Sequence, residues 1–428
     1  AALVVELVLT GGGGAFYVPS MAQMHRQRAM SILLRVLLVP RFCDAVRSRG
    51  AFFVSEFARA MDGEKDPRCL VTCLRVARAA LRQFDDAALR ETAGTLFEVT
   101  SCYFPIMFTP PPNDPHKITR EALVELLRDV FTATERMAPH LMPLLLEKTE
   151  STSEAVKVDA IETLAACFVD AAGANLFSPA ALSPFLPAIC EALFREVIEG
   201  TAKVVGAALS AIRAISKRAA RSIVGVSAAD VAPLADTAEQ RALLGGFHDA
   251  LLHRCWSTLE AETSLSSLTS RAAARVLRAL IDVSPLTLAR AAPSTWAIAI
   301  ARYNKSSSVG ASGDAGEGAA AAERLAVIEI TKSMLGALSA EVDFDRACHP
   351  IIPILDEIVR VLSASAALSG SSAEGSSAEG SAMETESSST PSTPSPSTEE
   401  QVCAVRGLRC LLERTAGHVA IVTASGAL

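Results

Sequence analysis

Aromatic residues are scarce in this chain. They make up only 5% of 428 residues, with Trp present twice and Tyr three times. Strand-forming residues are therefore in short supply, which argues against an all-β fold. Long apolar runs are also missing. "ALVVELVL" is too short to span a bilayer and is followed by Gly11, Gly12, Gly13 and Gly14, while "SILLRVLLV" is interrupted by Arg35. No charged n-region with a cleavage site is visible. Excess positive charge is lacking too. The net charge of -7 excludes a general polyanion binder, so a nucleic-acid role would need a local basic stripe. Catalytic signatures are missing: there is no G-x-S-x-G, no phosphate-binding G-x-x-x-x-G-K-[ST] and no H-E-x-x-H. The reading is of a non-enzyme with no catalytic residue, no cofactor and no bound metal. The chain opens on Ala1 rather than Met, which reads as a fragment of a longer product.

Apolar residues are plentiful, at 50%, and the good helix formers Ala, Leu and Arg abound. The expected fold class is all-α. The ten cysteines are scattered, and Cys167, Cys190 and Cys410 sit in apolar helical runs. They read as small buried hydrophobes in a reducing compartment.

An internal repeat organises the chain. "PLLLE" from Pro143, "PAICE" from Pro187 and "PILDE" from Pro353 share Pro-x-[Leu/Ile]-x-Glu, with a second proline upstream at Pro139, Pro184 and Pro350. Proline is tolerated in a first helical turn, so each segment reads as a helix start. A second helix follows. "VKVDAIETL" from Val156 and "VVGAALSAI" from Val204 align position for position at an offset of 48 residues, and "AAARVLRAL" from Ala272 and "CAVRGLRCL" from Cys403 take the same form. Helix pairs recurring every 40-odd residues point to a HEAT/armadillo-like solenoid of roughly eight pairs. An irregular helical bundle is the alternative.

The expected organisation is a HEAT-repeat array over 1–304, a flexible insert over 305–323 and HEAT helices over 324–362. A disordered Ser-rich insert over 363–400 and a last HEAT helix over 401–428 follow. The Ser-rich insert repeats "SSAEG" and cannot bury enough apolar area to offset its chain entropy. Its length adds about 1 kcal/mol of closure entropy over a ten-residue loop, which a solenoid tolerates. Thr390, Thr393 and Ser395 each precede proline, and are candidate phosphorylation sites or parts of an inert spacer.

Three basic stripes occur at helical spacing: Arg68, Arg75, Arg78 and Arg82; Arg213, Lys217 and Arg221; and Arg271, Arg275 and Arg278. Each reads as a solvated face with local ion pairs, or as a surface that docks acidic partners. The first is the candidate partner-binding site. The stripe helices offer almost no interleaved aromatics, which argues against single-strand binding. Cys69 and Cys73 share a helix face, with Cys102 and His116 nearby, and His248, His253 and Cys255 form a looser cluster. Neither group has paired ligands at C-x-x-C spacing, so core or boundary positions are the expectation.

The stretch "VTSCYFPIMFTPPPNDPH" (99–116) holds five prolines, which forbid a continuous helix. The prolines at 110 to 112 favour polyproline II, and Thr119 is the expected N-cap of the next helix. Tyr103, Phe104 and Phe108 are expected to pin an ordered connector against neighbouring helices.

This stretch, with "AMDGEKDPRCL" (60–70) and "LFEVTSCYFPIMFTPPPNDPHKITREAL" (96–123), closely resembles the amino-terminal region of the MMS-nineteen (methyl methanesulfonate sensitivity) family. The match is strongest over 52–199. The resemblance implies a HEAT-repeat adaptor of the cytosolic iron–sulfur assembly (CIA) targeting complex. Its implied partners are a WD-repeat propeller subunit, a small cysteine-bearing subunit, and apo helicases and polymerases of DNA replication and repair. A direct role on TFIIH in transcription and excision repair is the alternative. No membrane or direct nucleic-acid contact is implied, and the implied localisation is cytoplasm and nucleus. Family members are considerably longer, and their carboxy-terminal repeats dock the other subunits. A cluster-carrying protein using Cys69, Cys73 and Cys102, and a transport-receptor-like HEAT protein, are further readings.

Overall fold

The computed structural model describes residues 1–10, 18–112, 116–169, 177–221, 244–262, 267–283, 285–309, 323–328 and 330–331. Among these residues there is no strand, and the regular structure is helical throughout. The chain divides into two compact units. Unit 1 comprises Ala1–Ala192 with Thr201–Ala207, and unit 2 comprises Leu193–Gly200 with Ala208–Leu428.

Unit 1 is a HEAT-like stack of helix pairs in two layers. First helices α1 (Ala2–Thr10), α4 (Gly50–Met61), α6 (Asp86–Ser101) and α8 (Ala138–Thr149) pack in succession. Second helices α2 (Gln23–Leu38), α5 (Pro67–Gln83), α7 (Arg120–Phe131) and α9 (Glu154–Ala166) pack in the other layer. The short α3 (Pro40–Arg47) bridges α2 to α4.

Local chemistry sets the helix starts. Asp66 accepts from the N–H groups of Arg68 and Cys69, with Pro67 in the first turn of α5. Asp85 accepts from Ala88 N at α6, and Thr119 accepts from Ala122 N (3.1 Å) at α7, as its sequence position predicts. Each such cap satisfies a donor left unpaired at a helix start. The apolar stripe of α5, including Cys69, Leu70, Cys73, Leu74, Val76, Ala77 and Leu81, is buried. A leucine such as Leu74 contributes about 2 kcal/mol on full burial.

The repeat motif is only partly a helix-start motif. After the single-turn α10 (Pro179–Leu182), Pro187 is second in α11 (Leu186–Glu199), as expected, but α8 begins at Ala138, so Pro143 lies inside that helix and Pro139 takes the first-turn role. The short 3-10 turn Glu135–Met137 leads directly into α8 and brings its start upstream of the motif. Val156, Ala160, Ile161 and Leu164 are buried on α9. Val204, Ala208 and Ile212 are buried on α12 (Ala202–Arg221), but Leu209 is only half-buried.

In unit 2, α13 (Ala250–Ala261), α14 (Leu268–Ile281) and α15 (Pro285–Val309) pack on one another. A π-helical turn over Leu244–Asp249 enters α13. Arg302 of α15 donates to the carbonyls of Leu259, Glu260 and Glu262, and so caps the end of α13 from a distance. Helix α15 continues to Val309, five residues into the segment expected to be a loop. Extending an established helix adds one hydrogen bond per residue fixed, which offsets the modest propensity of Ser306, Ser307 and Ser308. Residues 310–322, the motif from Pro353, the Ser-rich insert with Thr390, Thr393 and Ser395, and the helix from Cys403 lie outside the described residues.

Candidate functional surface

The second-helix layer of unit 1 carries a run of ion pairs. Successive steps of the stack are joined by arginine–carboxylate pairs. Arg26 on α2 holds Glu64, just before α5, through two bonds of 2.7 and 2.9 Å. Burial works to raise the Glu64 carboxyl, but Arg26 and the Asp66 N–H outweigh it and hold it below its usual value. Arg78 on α5 pairs with Asp129 on α7 at 3.0 Å. Arg128 on α7 pairs with Glu162 on α9 at 2.7 Å, and Arg120 pairs with Asp159.

Asp159 is the most constrained of these acids. Helix α9 is buried on nearly every side, so a carboxylate at position 159 retains only 6% exposure. A buried charge is tolerated only when paired. Arg120 supplies that pair and also donates to the Ile106 carbonyl at 3.0 Å. One guanidinium thus ties α7, α9 and the proline-rich connector together.

The four arginines expected to form one docking stripe take different roles. Arg68 is half-exposed, holds Asp66 at 2.8 Å, and lies 3.5 Å from His116 Nε2. Arg78 is committed to Asp129. Arg75 and Arg82 project from α5 as exposed cations. Partial burial, then the neighbouring Arg78 charge, push the Arg82 guanidinium below its usual value. The stripe is therefore half ion-pair ladder and half open cationic surface. In unit 2, Arg271, Arg275 and Arg278 are exposed on α14, with Arg278 reaching Asp282 at 3.5 Å; Arg213 of α12 is half-buried and Lys217 exposed.

The cysteine and histidine candidates are dispersed. Cys69 and Cys73 are fully buried against α2, where the Cys69 thiol donates to Gln23 O at 3.5 Å, and burial pushes both thiols up. Cys102 is exposed, with its thiol donating to Glu98 O at 3.2 Å. His248 and Cys255 are buried in unit 2, while His253 meets Trp256 edge-on. Among the described residues, no three of His, Cys, Asp and Glu gather as a metal-binding group. None of the described helices is long and apolar enough to cross a membrane.

The first-helix layer holds a shallow groove of about 280 Å³ between α6 and α8, floored by Ala93 and Gly94 and rimmed by Arg90, Arg136 and His140. Both arginines are bound to Asp86, so the rim carries little uncommitted charge. The acids of the ladder and this groove had no signature in the sequence. Apart from the local Arg90–Asp86 pair, their partners lie 34 to 51 residues away, and no local spacing encodes such pairs.

Residues 6–199 match the family described as Dos2-interacting transcription regulator of RNA-Pol-II, the amino-terminal MMS19 domain. The chain is 35% identical over 240 residues to the MMS19 nucleotide excision repair protein homolog of Xenopus tropicalis, covering 56% of this chain and 21% of that protein. The human homolog is 37% identical over 216 residues, covering 50% and 20%. The Arabidopsis thaliana homolog is 35% identical over 146 residues, covering 34% and 13%. The chain thus spans about a fifth of the length of the vertebrate relatives it matches. The family match opens at residue 6 and takes in the two-layer stack from α2 to α9, so this part of the chain is similar to the amino-terminal domain of MMS19 proteins.

Proposed function

We propose that this chain is a non-catalytic helical-repeat adaptor in DNA repair and transcription, and that its specific task is delivery of iron–sulfur clusters to apo-proteins of genome maintenance. The observation that carries the reading is the family match over a two-layer stack whose second-helix face leaves Arg75 and Arg82 open between paired neighbours. An adaptor binds through extended, moderately polar surface rather than an enclosed pocket. Two uncommitted cations on a rigid helix suit an acidic patch on a partner, because their positions are fixed before encounter. The partners proposed are the WD-repeat propeller and small cysteine-bearing subunits of the CIA targeting complex, together with apo helicases and polymerases. Work on such clients places the adaptor in cytoplasm and nucleus. The iron–sulfur cluster is cargo in this scheme, and among the described residues no three of His, Cys, Asp and Glu gather to hold it.

A second reading is a scaffold acting directly on TFIIH. It draws support from the relatives' descriptions, which speak of nucleotide excision repair and RNA-Pol-II transcription. Radioactive iron incorporated into client helicases separates the two. Depletion of the protein lowers client iron if clusters are delivered. Unchanged client iron alongside impaired repair would refute the delivery reading and favour the scaffold.

A further inference from the structure

The connector between α6 and α7 does two separable things. Its first part is anchored. The Tyr103 hydroxyl donates to Met61 O at 2.9 Å, Phe104 and Ile106 are 8% and 4% exposed, and Arg120 grips the Ile106 carbonyl. Phe104 also meets Phe131 of α7 edge-on, with ring centroids 6.1 Å apart. These contacts suffice to hold the crossing in place.

Beyond Ile106 the chain turns outward. Met107 is 87% exposed, Phe108 is half-buried, and Thr109, Pro110, Pro111 and Pro112 are all exposed. Three consecutive prolines have fixed φ, and each proline also forces the residue before it out of the α region. The result is a short polyproline II rod at Pro110 and Pro111 that runs into a turn at Pro112, with no N–H on any of the three exposed prolines. A connector already pinned at residues 103–106 gains no packing from an exposed rod or from an exposed methionine at its base. Such a rod is ordered before binding, so a partner loses little conformational entropy in taking it.

We propose that Met107 with Pro110, Pro111 and Pro112 forms a docking epitope for the aromatic-lined, acid-rimmed groove of a polyproline-reading domain on a partner protein. The acidic rim follows from the charge beside the rod. Lys117 is an exposed cation a few residues past it. Aromatic rings in such grooves stack on proline faces, and a carboxylate at the rim meets the lysine. This goes beyond the adaptor reading and stands independently of it, because it concerns a different surface and a partner of different chemistry.

The test titrates the fluorescently labelled whole chain with a panel of purified SH3 and WW domains, read by anisotropy. At least one domain binds with a dissociation constant of about 100 μM or tighter, the range open to a short rod. That binding weakens about tenfold or more in the Pro110→Ala/Pro111→Ala/Pro112→Ala variant, a loss of one decade in the equilibrium constant. Met107→Glu, at a side chain that packs on little, weakens it as well and decides the matter if the triple variant melts early. The proposal is overturned if no domain of the panel binds, or if binding survives unchanged in Met107→Glu.

Discussion

Replacing Arg120 by methionine should destabilise unit 1 far more than neutralising its partner. Methionine keeps most of the volume but removes the guanidinium that serves Asp159 and the Ile106 carbonyl together. Asp159 then stays buried at 6% exposure with its charge uncompensated. Breaking a buried pair from one side costs about 3–5 kcal/mol. The Arg120 side chain is 27% exposed, so water reaches the site and the cost falls to about 2–3 kcal/mol. Asp159→Asn leaves an amide that still accepts from Arg120, and an arginine that water can solvate, so it costs about 1 kcal/mol. The assay is urea unfolding of the whole chain followed by both far-UV circular dichroism and tryptophan fluorescence. Trp256 and Trp296 are the only tryptophans, and both belong to unit 2. Fluorescence therefore follows unit 2 while dichroism follows both. Arg120→Met should lower the midpoint of the fluorescence-silent transition by about 1 M, given typical urea slopes. Equal losses for Arg120→Met and Asp159→Asn, or a loss below about 0.5 kcal/mol for the former, would refute the claim that Arg120 is what makes a buried Asp159 tolerable.

Two glycines should respond in opposite directions. A Cβ at Gly50 would lie 2.9 Å from Phe84 Cγ and 3.1 Å from Ala88 Cβ, so Gly50→Ala costs about 1–3 kcal/mol in chemical denaturation. A Cβ at Gly206 would meet nothing within 4 Å, so Gly206→Ala stabilises helix α12 by about 0.5–1 kcal/mol in the same assay. His248 should make unit 2 acid-sensitive. Burial drives its imidazole down to about 4, with Asp249 opposing and Arg290 reinforcing the shift; its Nδ1 lies 3.5 Å from Ser216 Oγ. The neutral form is thus favoured on folding. Its stability contribution is complete above about pH 6.5 and is lost as pH falls towards 4, reaching about 2 kcal/mol at pH 5. Fluorescence-detected melting between pH 7 and 5 checks this, and His248→Leu should flatten that part of the profile.

The fold was legible because its determinants are local. The apolar spacing of "VKVDAIETL" and "VVGAALSAI", the cap at Thr119 and the interruption by prolines after Ser101 are all matched by elements of the structure. Pro143 misled because the preceding 3-10 turn at Glu135–Met137 starts the helix earlier, and a proline in the second turn is spaced much like one in the first. The functional surface was only half legible. The spacing of Arg68, Arg75, Arg78 and Arg82 gave the shared helix α5, but not which cations are already taken. That depends on Asp129, one helix further along the layer. Asp159 looked like an ordinary polar position of α9, and only packing on several sides makes it a constrained charge. Cys69 and Cys73 did share a face, but it is the face that packs on α2.

The adaptor reading meets its most direct test in an affinity purification of the tagged chain from its own cells, read by mass spectrometry beside a variant carrying Arg75→Glu and Arg82→Glu. Arg78 is left intact, because reversing it would break the pair with Asp129. The account predicts that CIA subunits or iron–sulfur helicases come down with the unmodified chain and are depleted with the double variant, while both proteins melt alike. Recovery of none of these partners, or equal recovery by the variant, would contradict the assignment of an acidic-partner surface to this face.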